Sequence, residues 1–231
     1  MDVMLLSSYM TQPRQGHMEQ VLHIFAYLKC HLQSNLVFDT NQIKWDEEKF
    51  KSYDWTSFYH DAKEAIPPNA PEARGQAVQI NIFCDSDHAS NKVTRRSHTG
   101  ILIYLNDTPI IWYSKAQNTV ETSTFGSEFI AMQICVEMIE ALRYKLRMLG
   151  VPITGPANVF CDSSSVVINS TIPTSPLKKK HNAIAYHRVR EAIAAGIIRV
   201  ANVKSEENLA DAFTKPLSGV KLRYLMSRIL W

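Results

Sequence analysis

The spacing of apolar residues predicts helices and strands in different parts of the chain. Apolar positions 18, 21, 22, 25, 28 and 32 form a helical stripe over 14–33, and apolar residues recur at helical spacing over 124–149. Shorter apolar runs are typical of strands, and "NDT" after residue 105 joins two of them as a hairpin. The strand candidates are 77–85, 98–105, 109–116, 157–162 and 197–203, with a further short one at 35–39.

Three further helices follow from the polar and apolar pattern of the second half. One begins in "SSSVVINS" after residue 162, one covers 181–195 and ends at Gly196, and one begins at Ser205 as N-cap. Gly150 with Pro152 just beyond it ends the long helix. The order β-β-β-α-β-α-α-β-α predicts an α/β fold with a mixed five-stranded sheet and helices on both faces, preceded by a small, mainly helical N-terminal segment.

Composition narrows the class of protein without assigning a function. The chain of 231 residues is 45% apolar and 20% charged, which is typical of a globular protein, and no apolar run approaches a membrane span. The first residues lack the features of a signal peptide. Four cysteines without metal-binding spacing argue against zinc. A net charge of +3 permits a polyanionic partner. Prolines in 62–77 predict a linker and a domain boundary near residue 77.

The tetrapeptide "FCDS" ends two strand candidates, at 83–86 and at 160–163. The flanking residues do not recur, so the tetrapeptide is no internal repeat. Alternation places Phe83 and Asp85 on one face, as it does Phe160 and Asp162. If the strands are parallel neighbours, both carboxylates lie at the carboxyl edge of the sheet. The alternative is that each Asp caps the next element, which is a weaker reading for Asp85 because another strand follows it.

Two further acidic residues extend this pattern. Glu128 lies on the apolar stripe of the long helix, and Asp211 is flanked by apolar residues in "NLADAF". Carboxylates are rarely buried without a partner or a metal, and no cluster of arginines lies nearby in sequence. The pattern therefore predicts a site for Mg²⁺ or Mn²⁺, with two ions suited to attack on a phosphodiester. A basic partner for Glu128 is the alternative.

Five stretches in order resemble the ribonuclease H domain of copia-type retrotransposon Pol polyproteins. They cover residues 78–217 almost continuously: "FCDSDHASNKVTRRSHTGILIYL", "IIWYSKAQNTVETSTFGSEFIAM", "NVFCDSSSVV", "KKKHNAIAYHRVREA" and "NLADAFTKPL". Residues 1–61 resemble the end of the reverse transcriptase thumb and connection region, and 218–231 is expected to be a helical tail. The polymerase's Asp-Asp strand motif is absent, so we expect a polyprotein fragment or a truncated genomic copy.

The resemblance implies a ribonuclease H-like fold and a metal-dependent endonuclease that hydrolyses the RNA strand of RNA–DNA hybrids. It implies that Asp85 bridges two ions, that Glu128 and Asp162 complete one metal site, and that Asp211 helps to hold the other. The implied partners are the hybrid and the upstream reverse transcriptase domain of the same polyprotein, with no membrane. The implied location is intracellular, in cytoplasmic virus-like particles or in the nucleus. A catalytically silent module that binds nucleic acid or protein is the alternative function.

Two departures from the family pattern and two basic stretches complete the sequence-based picture. Residues 199–210 contain no histidine before the last acid, and Gly126 stands where copia-type domains often have the first Glu of "STEAEY". Basic loop residues are predicted to contact phosphates, although a solvated loop is the plain alternative. These residues are Arg95, Arg96, Lys178, Lys179, Lys180 and His181.

Overall fold

The computed structural model describes residues 2–177 and 180–230 and is built around one five-stranded sheet. Its strands are β1 (Ile80–Asp87), β2 (His98–Leu105), β3 (Thr108–Ala116), β4 (Ala157–Cys161) and β5 (Ile198–Asn202). They lie in the order β3-β2-β1-β4-β5. β2 pairs antiparallel with both β1 and β3, whereas β4 is parallel to β1 and to β5. The predicted mixed five-stranded sheet is confirmed.

Helices cover both faces of this sheet, as predicted. On one face, α3 (Thr124–Met148), α4 (Ser164–Thr171) and α5 (Ala183–Ala194) pack over a core that contains Ile82, Cys84 and Cys161. On the other face, α6 (Asp211–Thr214) and α7 (Gly219–Met226) pack near Phe83 and Phe160. Burying apolar side chains on both faces holds the three layers together.

The ends of α3 agree with the signals in the sequence. The Ser123 hydroxyl accepts a hydrogen bond from the Gly126 amide at 3.2 Å and so caps the first turn. Beyond Met148, Gly150 adopts a positive φ of 68°, and the Val151 amide donates to the Leu146 carbonyl at 2.9 Å. A left-handed residue just past the helix ends it because the chain turns away from the axis.

The N-terminal segment is helical at first and irregular afterwards. It contains α1 (Asp2–Ser7), which the sequence pattern did not predict, and α2 (Gln15–Cys30), which it did. The prediction of a strand at 35–39 is wrong, since these residues have no regular structure. The physical reason is that Phe38 is exposed and only Asp39 bonds to β3, its amide donating to the Thr108 hydroxyl at 2.7 Å.

Residues 39–64, which we call the N-terminal strap, lie against the sheet and against α3. The Trp45 ring lies 4.4 Å from that of Phe160, and its Nε1 donates to Asn81 Oδ1 at 2.7 Å. Farther along, Glu64 forms ion pairs with Arg143 at 2.7 Å and with Arg147 at 2.6 Å. The predicted domain bounds of 1–61, 62–77, 78–217 and 218–231 stay predictions.

The predicted helix from Ser205 is largely wrong. Residues 205–210 form turns, and α6 begins only at Asp211. Asn208 explains the difference, because its side chain donates to the Cys84 carbonyl at 3.1 Å and accepts from the Ala210 amide at 3.2 Å. Side-chain bonds of this kind compete with helix formation. Ser205 is therefore free to donate to Asp162 at 2.8 Å.

Among the described helices, none combines the length and the apolarity that a bilayer crossing requires.

Candidate functional site

The sheet topology brings five chain segments to a single edge. β1, β4 and β5 are parallel, so their carboxyl ends coincide there. β2 begins at this edge, because it is antiparallel to β1, and β3 ends there beside it. The loops that leave β3 and β5 at this edge lead to the first turn of α3 and to α6. We call it the carboxyl edge, and it is where open α/β sheets place their sites.

The two "FCDS" segments lie side by side at this edge. Phe83 pairs in parallel register with Phe160, and their rings stack with centroids 5.2 Å apart. Cys84 and Cys161 point into the core on the opposite face, and burial raises the pKa of the Cys161 thiol. The predicted division of the tetrapeptide between two faces is confirmed, and so is the parallel arrangement on which it depended.

The structure gathers the predicted acids into two overlapping groups. Asp85, Asp162 and Asp211 each place a carboxylate oxygen within 4.8 Å of the others. Glu128, Cys161 and Asp162 form a second group within the same distance. The four carboxylates, Asp85, Glu128, Asp162 and Asp211, are called the acid cluster below. Asp162 belongs to both groups, whereas the bridging role that the resemblance gives to Asp85 stays a prediction.

Asp85 is a deeply buried member of the acid cluster. Its side chain is 1% exposed and accepts a short hydrogen bond from the Thr214 hydroxyl on α6. Burial raises the pKa of Asp85 to about 6, and the charges of Asp211 and Asp162 act in the same direction. The Lys215 ammonium and the Thr214 hydrogen bond partly oppose this rise. Asp85 therefore binds its proton more tightly than an ordinary aspartate does.

Glu128 is a buried carboxylate with unused hydrogen-bonding capacity. It lies in the first turns of α3. Burial raises the pKa of Glu128 well above its usual range, and the negative charges of Asp85 and Asp162 raise it further. Its Oε2 atom finds no hydrogen-bond partner in residues 2–177 and 180–230. The alternative of a basic partner for Glu128 is not observed in that part of the chain. A buried carboxylate oxygen without a partner is costly unless a ligand satisfies it.

Two lysines that the sequence reasoning missed face the acid cluster. Lys215 Nζ lies 2.8 Å from Asp211 Oδ1 and 3.5 Å from Asp85 Oδ2. Lys221, on α7, donates to Asp211 Oδ2 at 2.5 Å and to the Ser205 carbonyl at 3.1 Å. Burial alone lowers the pKa of Lys215, but the carboxylates of Asp85 and Asp211 raise it above its ordinary value.

The sequence has no cluster of arginines near the acids, but these two lysines supply positive charge there instead. The spacing of Lys215 four residues after Asp211 was the available signal, because residues at i and i+4 lie on the same side of a helix. Lys221 gave no such signal, since its contact depends on how α7 packs. Lys221 hydrogen-bonds to Asp211 Oδ2, and Lys215 lies close enough to Oδ1 for an ion pair but without hydrogen-bond geometry. Within the described residues, Glu128 Oε2 has neither kind of partner.

Gly100 makes room for α6 beside Asp85. It pairs with Asp85 across β1 and β2. A Cβ atom at this position would lie 2.6 Å from the Thr214 Cγ2 atom and 2.7 Å from the Ala210 carbonyl oxygen. Those distances are too short for any side chain, so only glycine lets the turn that carries Asp211 approach the sheet this closely.

The predicted phosphate-contacting residues lie at the same edge as far as the structure describes them. Arg95 and Arg96 are exposed in the loop between β1 and β2, and Arg95 adopts a positive φ of 57°. Lys180 and His181 are exposed in a 3-10 turn before α5 that packs near the start of α3. Lys178 and Lys179 lie outside the described residues. Contact of these side chains with phosphate stays a prediction.

Comparison with known proteins places the chain among retrotransposon sequences. It is 30% identical over 156 residues to the retrovirus-related Pol polyprotein from transposon RE1 of Arabidopsis thaliana, covering 68% of this chain and 11% of that protein. It is 34% identical over 134 residues to the corresponding polyprotein from transposon TNT 1-94 of Nicotiana tabacum, covering 58% and 10%. The chain therefore spans about a tenth of the length of these relatives. No protein-family model matches it.

Two of the solved structures that resemble the chain are ribonuclease H proteins. LC11-RNase H1 in complex with RNA/DNA hybrid matches with a TM-score of 0.48 and 16% identity, covering 59% of this chain and 94% of that one. The N-terminal ribonuclease H domain of rv2228c from Mycobacterium tuberculosis matches with a TM-score of 0.45 and 15% identity, covering 65% and 98%.

The observed sheet, with helices on both faces and a short helical N-terminus, confirms the predicted fold class. The homologues of this chain are retrovirus-related Pol polyproteins from copia-type transposons, and the predicted resemblance is thereby confirmed.

Proposed function

We propose that this chain is a metal-dependent ribonuclease H that hydrolyses the RNA strand of RNA–DNA hybrids, as part of a retrotransposon Pol polyprotein. The observation that carries the proposal is the acid cluster itself. Four carboxylates from β1, α3, the end of β4 and α6 converge at the carboxyl edge, and three of them lie within 4.8 Å of one another. Such a concentration of buried negative charge is expensive unless cations neutralise it.

The donor set fits Mg²⁺ or Mn²⁺. Both ions prefer carboxylate oxygens, and the unpartnered Glu128 Oε2 atom is the buried oxygen that a metal would satisfy. Cys161 does not suit these ions, since its buried thiol has a raised pKa and sulfur is a soft ligand. Asp85, Glu128, Asp162 and Asp211 would hold two ions, which would activate the attacking water and stabilise the leaving 3′ oxygen.

The surrounding residues orient the acid cluster. Thr214 and Ser205 donate hydroxyl hydrogen bonds to Asp85 and Asp162, and Asn208 ties the loop before α6 to the backbone of β1. These bonds restrict the rotation of the carboxylates, so little reorganisation is needed when a charged ligand arrives. Lys215 adds a positive charge beside Asp85, where a phosphate group of the substrate would enter.

The hybrid would lie along the carboxyl edge. Arg95, Arg96, Lys180 and His181 flank the acid cluster there, and exposed basic side chains supply the sequence-independent part of nucleic-acid binding. The RNA strand would be distinguished by its 2′-hydroxyl groups. Salt should therefore weaken binding in proportion to the number of phosphates contacted.

We also propose that α2 contacts the upstream reverse transcriptase domain of the same polyprotein. Met18, Leu22 and Phe25 are each more than half exposed and share one side of this helix. An apolar helix face left open in this way is typical of an interface. Replacing Met18 and Phe25 with serine should abolish co-purification with the separately expressed upstream segment and leave the unfolding temperature unchanged.

The decisive experiment compares the wild-type protein with Asp85→Asn. With Mg²⁺ or Mn²⁺, the wild type should cut the RNA strand of a labelled RNA–DNA hybrid, and Asp85→Asn should not. Asp107→Asn, an exposed Asp in the β2–β3 turn far from the acid cluster, is the matched control and should cut normally. A folded wild-type protein that is inert with both metals would contradict the proposal.

One observation favours the second candidate, a catalytically silent module that binds nucleic acid or protein. Lys215 and Lys221 already neutralise Asp211, so the fold can tolerate part of the acid cluster without metal. Isothermal titration with Mn²⁺ separates the two candidates. Metal binding that Asp162→Asn abolishes supports the nuclease, whereas hybrid binding without metal binding supports the silent module.

A further inference from the structure

A fifth buried carboxylate lies near the acid cluster but outside it. Glu121, in the loop between β3 and α3, is 9% exposed. Its Oε2 atom accepts a hydrogen bond from Asn182 Nδ2 at 3.1 Å and lies 3.5 Å from His181 Nε2. Its Oε1 atom accepts from the Thr119 hydroxyl at 3.2 Å. Both oxygens are thus engaged, which sets Glu121 apart from Glu128 and its free oxygen.

Gly126 provides the space that Glu121 fills. A Cβ atom at this glycine would lie 2.6 Å from Glu121 Oε2 and 3.0 Å from Asn182 Nδ2. The Glu121 carboxylate, from the preceding loop, thus enters the space into which a side chain at 126 would project. A side chain at 126 and the Glu121 carboxylate therefore exclude each other from this space.

The hydrogen bond between Glu121 and Asn182 joins two parts of the carboxyl edge. Asn182 ends the 3-10 turn Lys180–Asn182 and is the N-cap residue of α5, while Gly126 belongs to the first turn of α3. On another side of that turn, Gln117 Nε2 donates to the Ser127 carbonyl at 2.9 Å. The turn that carries Glu128 is thus held by Gln117 on one side and packs against the Glu121 carboxylate on another. The Glu121–Asn182 hydrogen bond positions the 3-10 turn that carries the basic residues Lys180 and His181.

We propose that Glu121 is a positioning residue for the nucleic-acid-binding edge. Its carboxylate locks the Lys180–Asn182 turn to the loop that precedes α3, and it packs against Gly126 in the first turn of that helix. The basic turn and Glu128 then keep a fixed relation when a hybrid binds. This role rests on the proposed ribonuclease H function, although the lock itself is a property of the fold.

Removing the Glu121 carboxylate should change the affinity for a hybrid in opposite directions, depending on whether its charge or its positioning role matters more. Removing a negative charge near phosphates should tighten binding of a hybrid. Loss of the lock should weaken it, because the basic turn must then be ordered on binding. We therefore expect Glu121→Ala to raise the dissociation constant of an RNA–DNA hybrid about tenfold, measured by fluorescence anisotropy with Ca²⁺, equal to about 1.4 kcal/mol. KM should rise with Mg²⁺ while kcat changes less.

The rescue variant is Glu121→Ala combined with Gly126→Glu. The new side chain projects into the vacated space beside Asn182, so this double variant should restore hybrid binding. We expect its dissociation constant to lie within about twofold of the wild-type value, which is about the uncertainty with which the effects of two mutations add. Glu137→Ala, which removes an exposed charge from α3, is the control and should not weaken binding. Unchanged or tighter binding by Glu121→Ala, or no rescue by the double variant, would overturn the proposal.

Hydrogen exchange separates failure of the lock from failure of the proposed function. Amides of residues 180–184 should exchange faster in Glu121→Ala and return to the wild-type rate in the double variant, whether or not the protein is a nuclease. If the wild type neither binds nor cuts a hybrid but exchange responds in this way, the nuclease proposal fails and the lock stands. Exchange that is equal in wild type and Glu121→Ala contradicts the lock directly.

Discussion

Two polar clusters lie on the same face of the same sheet, one near its amino edge and one at its carboxyl edge. Near the amino edge, Asn81 pairs across β1 and β4 with Asn158, which pairs across to Arg199 on β5. At the carboxyl edge, Asp85 and Asp162 continue the same two strands four residues later. A stacked pair of phenylalanines, Phe83 and Phe160, separates the two clusters.

The amino-edge cluster is saturated with hydrogen bonds. Asn81 Oδ1 accepts from Trp45 Nε1 and from Asn158 Nδ2, both at 2.7 Å. Arg199 Nε donates to Asn158 Oδ1 at 2.6 Å, and its guanidinium pairs with Glu47 on the N-terminal strap. In the acid cluster, in contrast, the Glu128 Oε2 atom has no hydrogen-bond partner among the described residues, and burial raises the pKa of Asp85 and of Glu128. Both clusters contain buried polar side chains, but only those near the amino edge are fully hydrogen-bonded. This difference distinguishes a cluster that stabilises the fold from one that is prepared for a ligand.

The largest expected difference between the clusters is in catalysis. Replacing Asp162 with Asn removes a charge that belongs to both groups of potential ligands and keeps the shape of the side chain. We expect the rate of RNA cleavage to fall by at least about 10,000-fold, as for removal of a group central to a reaction. The free energy of unfolding should not fall, because repulsion among the carboxylates decreases. A quenched-fluorescence hybrid assay and urea unfolding measure the two quantities.

The amino-edge cluster should respond in the reverse way. Asn158→Ala removes the acceptor of Arg199 Nε and one of the two donors to Asn81 Oδ1, which keeps its hydrogen bond from Trp45. We expect the free energy of unfolding to fall by about 3 kcal/mol, since a charged donor left without a partner costs at least about 1–3 kcal/mol. The cleavage rate of the folded protein should stay within about twofold of the wild type. A large loss of activity at full stability would remove the distinction between the clusters.

The acid cluster should also make the metal-free protein less stable as the pH rises. The pKa of Asp85 is raised from 3.8 to about 6 by folding, so the folded state binds the proton more tightly than the unfolded state. That contribution to stability is complete below pH 4 and is lost as the pH rises through 6, with a total of at most about 3 kcal/mol. Urea unfolding in EDTA between pH 4 and pH 7 measures it. Asp85→Asn should show a flatter profile, and parallel profiles would contradict the shift.

The sequence predicted the strands, the long helices and the convergence of four acids, because these depend on local periodicity and on chain order. β2 has the predicted bounds, and α3 differs from its prediction by one residue at its end. The helix predicted from Ser205 failed, because Asn208 bonds to the backbone of β1, a contact between residues far apart in the chain. The N-terminal strap had no periodic signal, since its Trp45 and Glu64 contacts depend on tertiary structure.

The candidate site shows the same limit. Alternation alone placed Asp85 and Asp162 on one face, whereas the neutralising lysines depend on packing. Lys215 was detectable by its helical spacing from Asp211, but Lys221 reaches Asp211 only because α7 folds back against the loop that contains Ser205. Likewise, the contact of Glu121 with Asn182 joins residues 61 positions apart. Side chains that complete a site from distant elements leave no pattern in one sequence.

The smallest expected effect concerns the competition between lysine and metal in the acid cluster. Lys221 occupies Asp211 Oδ2, so Lys221→Ala should leave a more negative cluster and tighten Mn²⁺ binding about threefold, as expected for loss of one charge several ångströms away at high dielectric. Titration calorimetry measures the change. Arg223→Ala removes an equal charge from the exposed side of α7 and should have little effect at 0.15 M salt, where charges more than about 8 Å apart are screened. Equal tightening by both variants would show that net charge matters and the Lys221–Asp211 contact does not. Weaker binding in Lys221→Ala would mean that Lys221 orients Asp211 for the metal, so that the contact serves the site by positioning a ligand and not by competing with the ion.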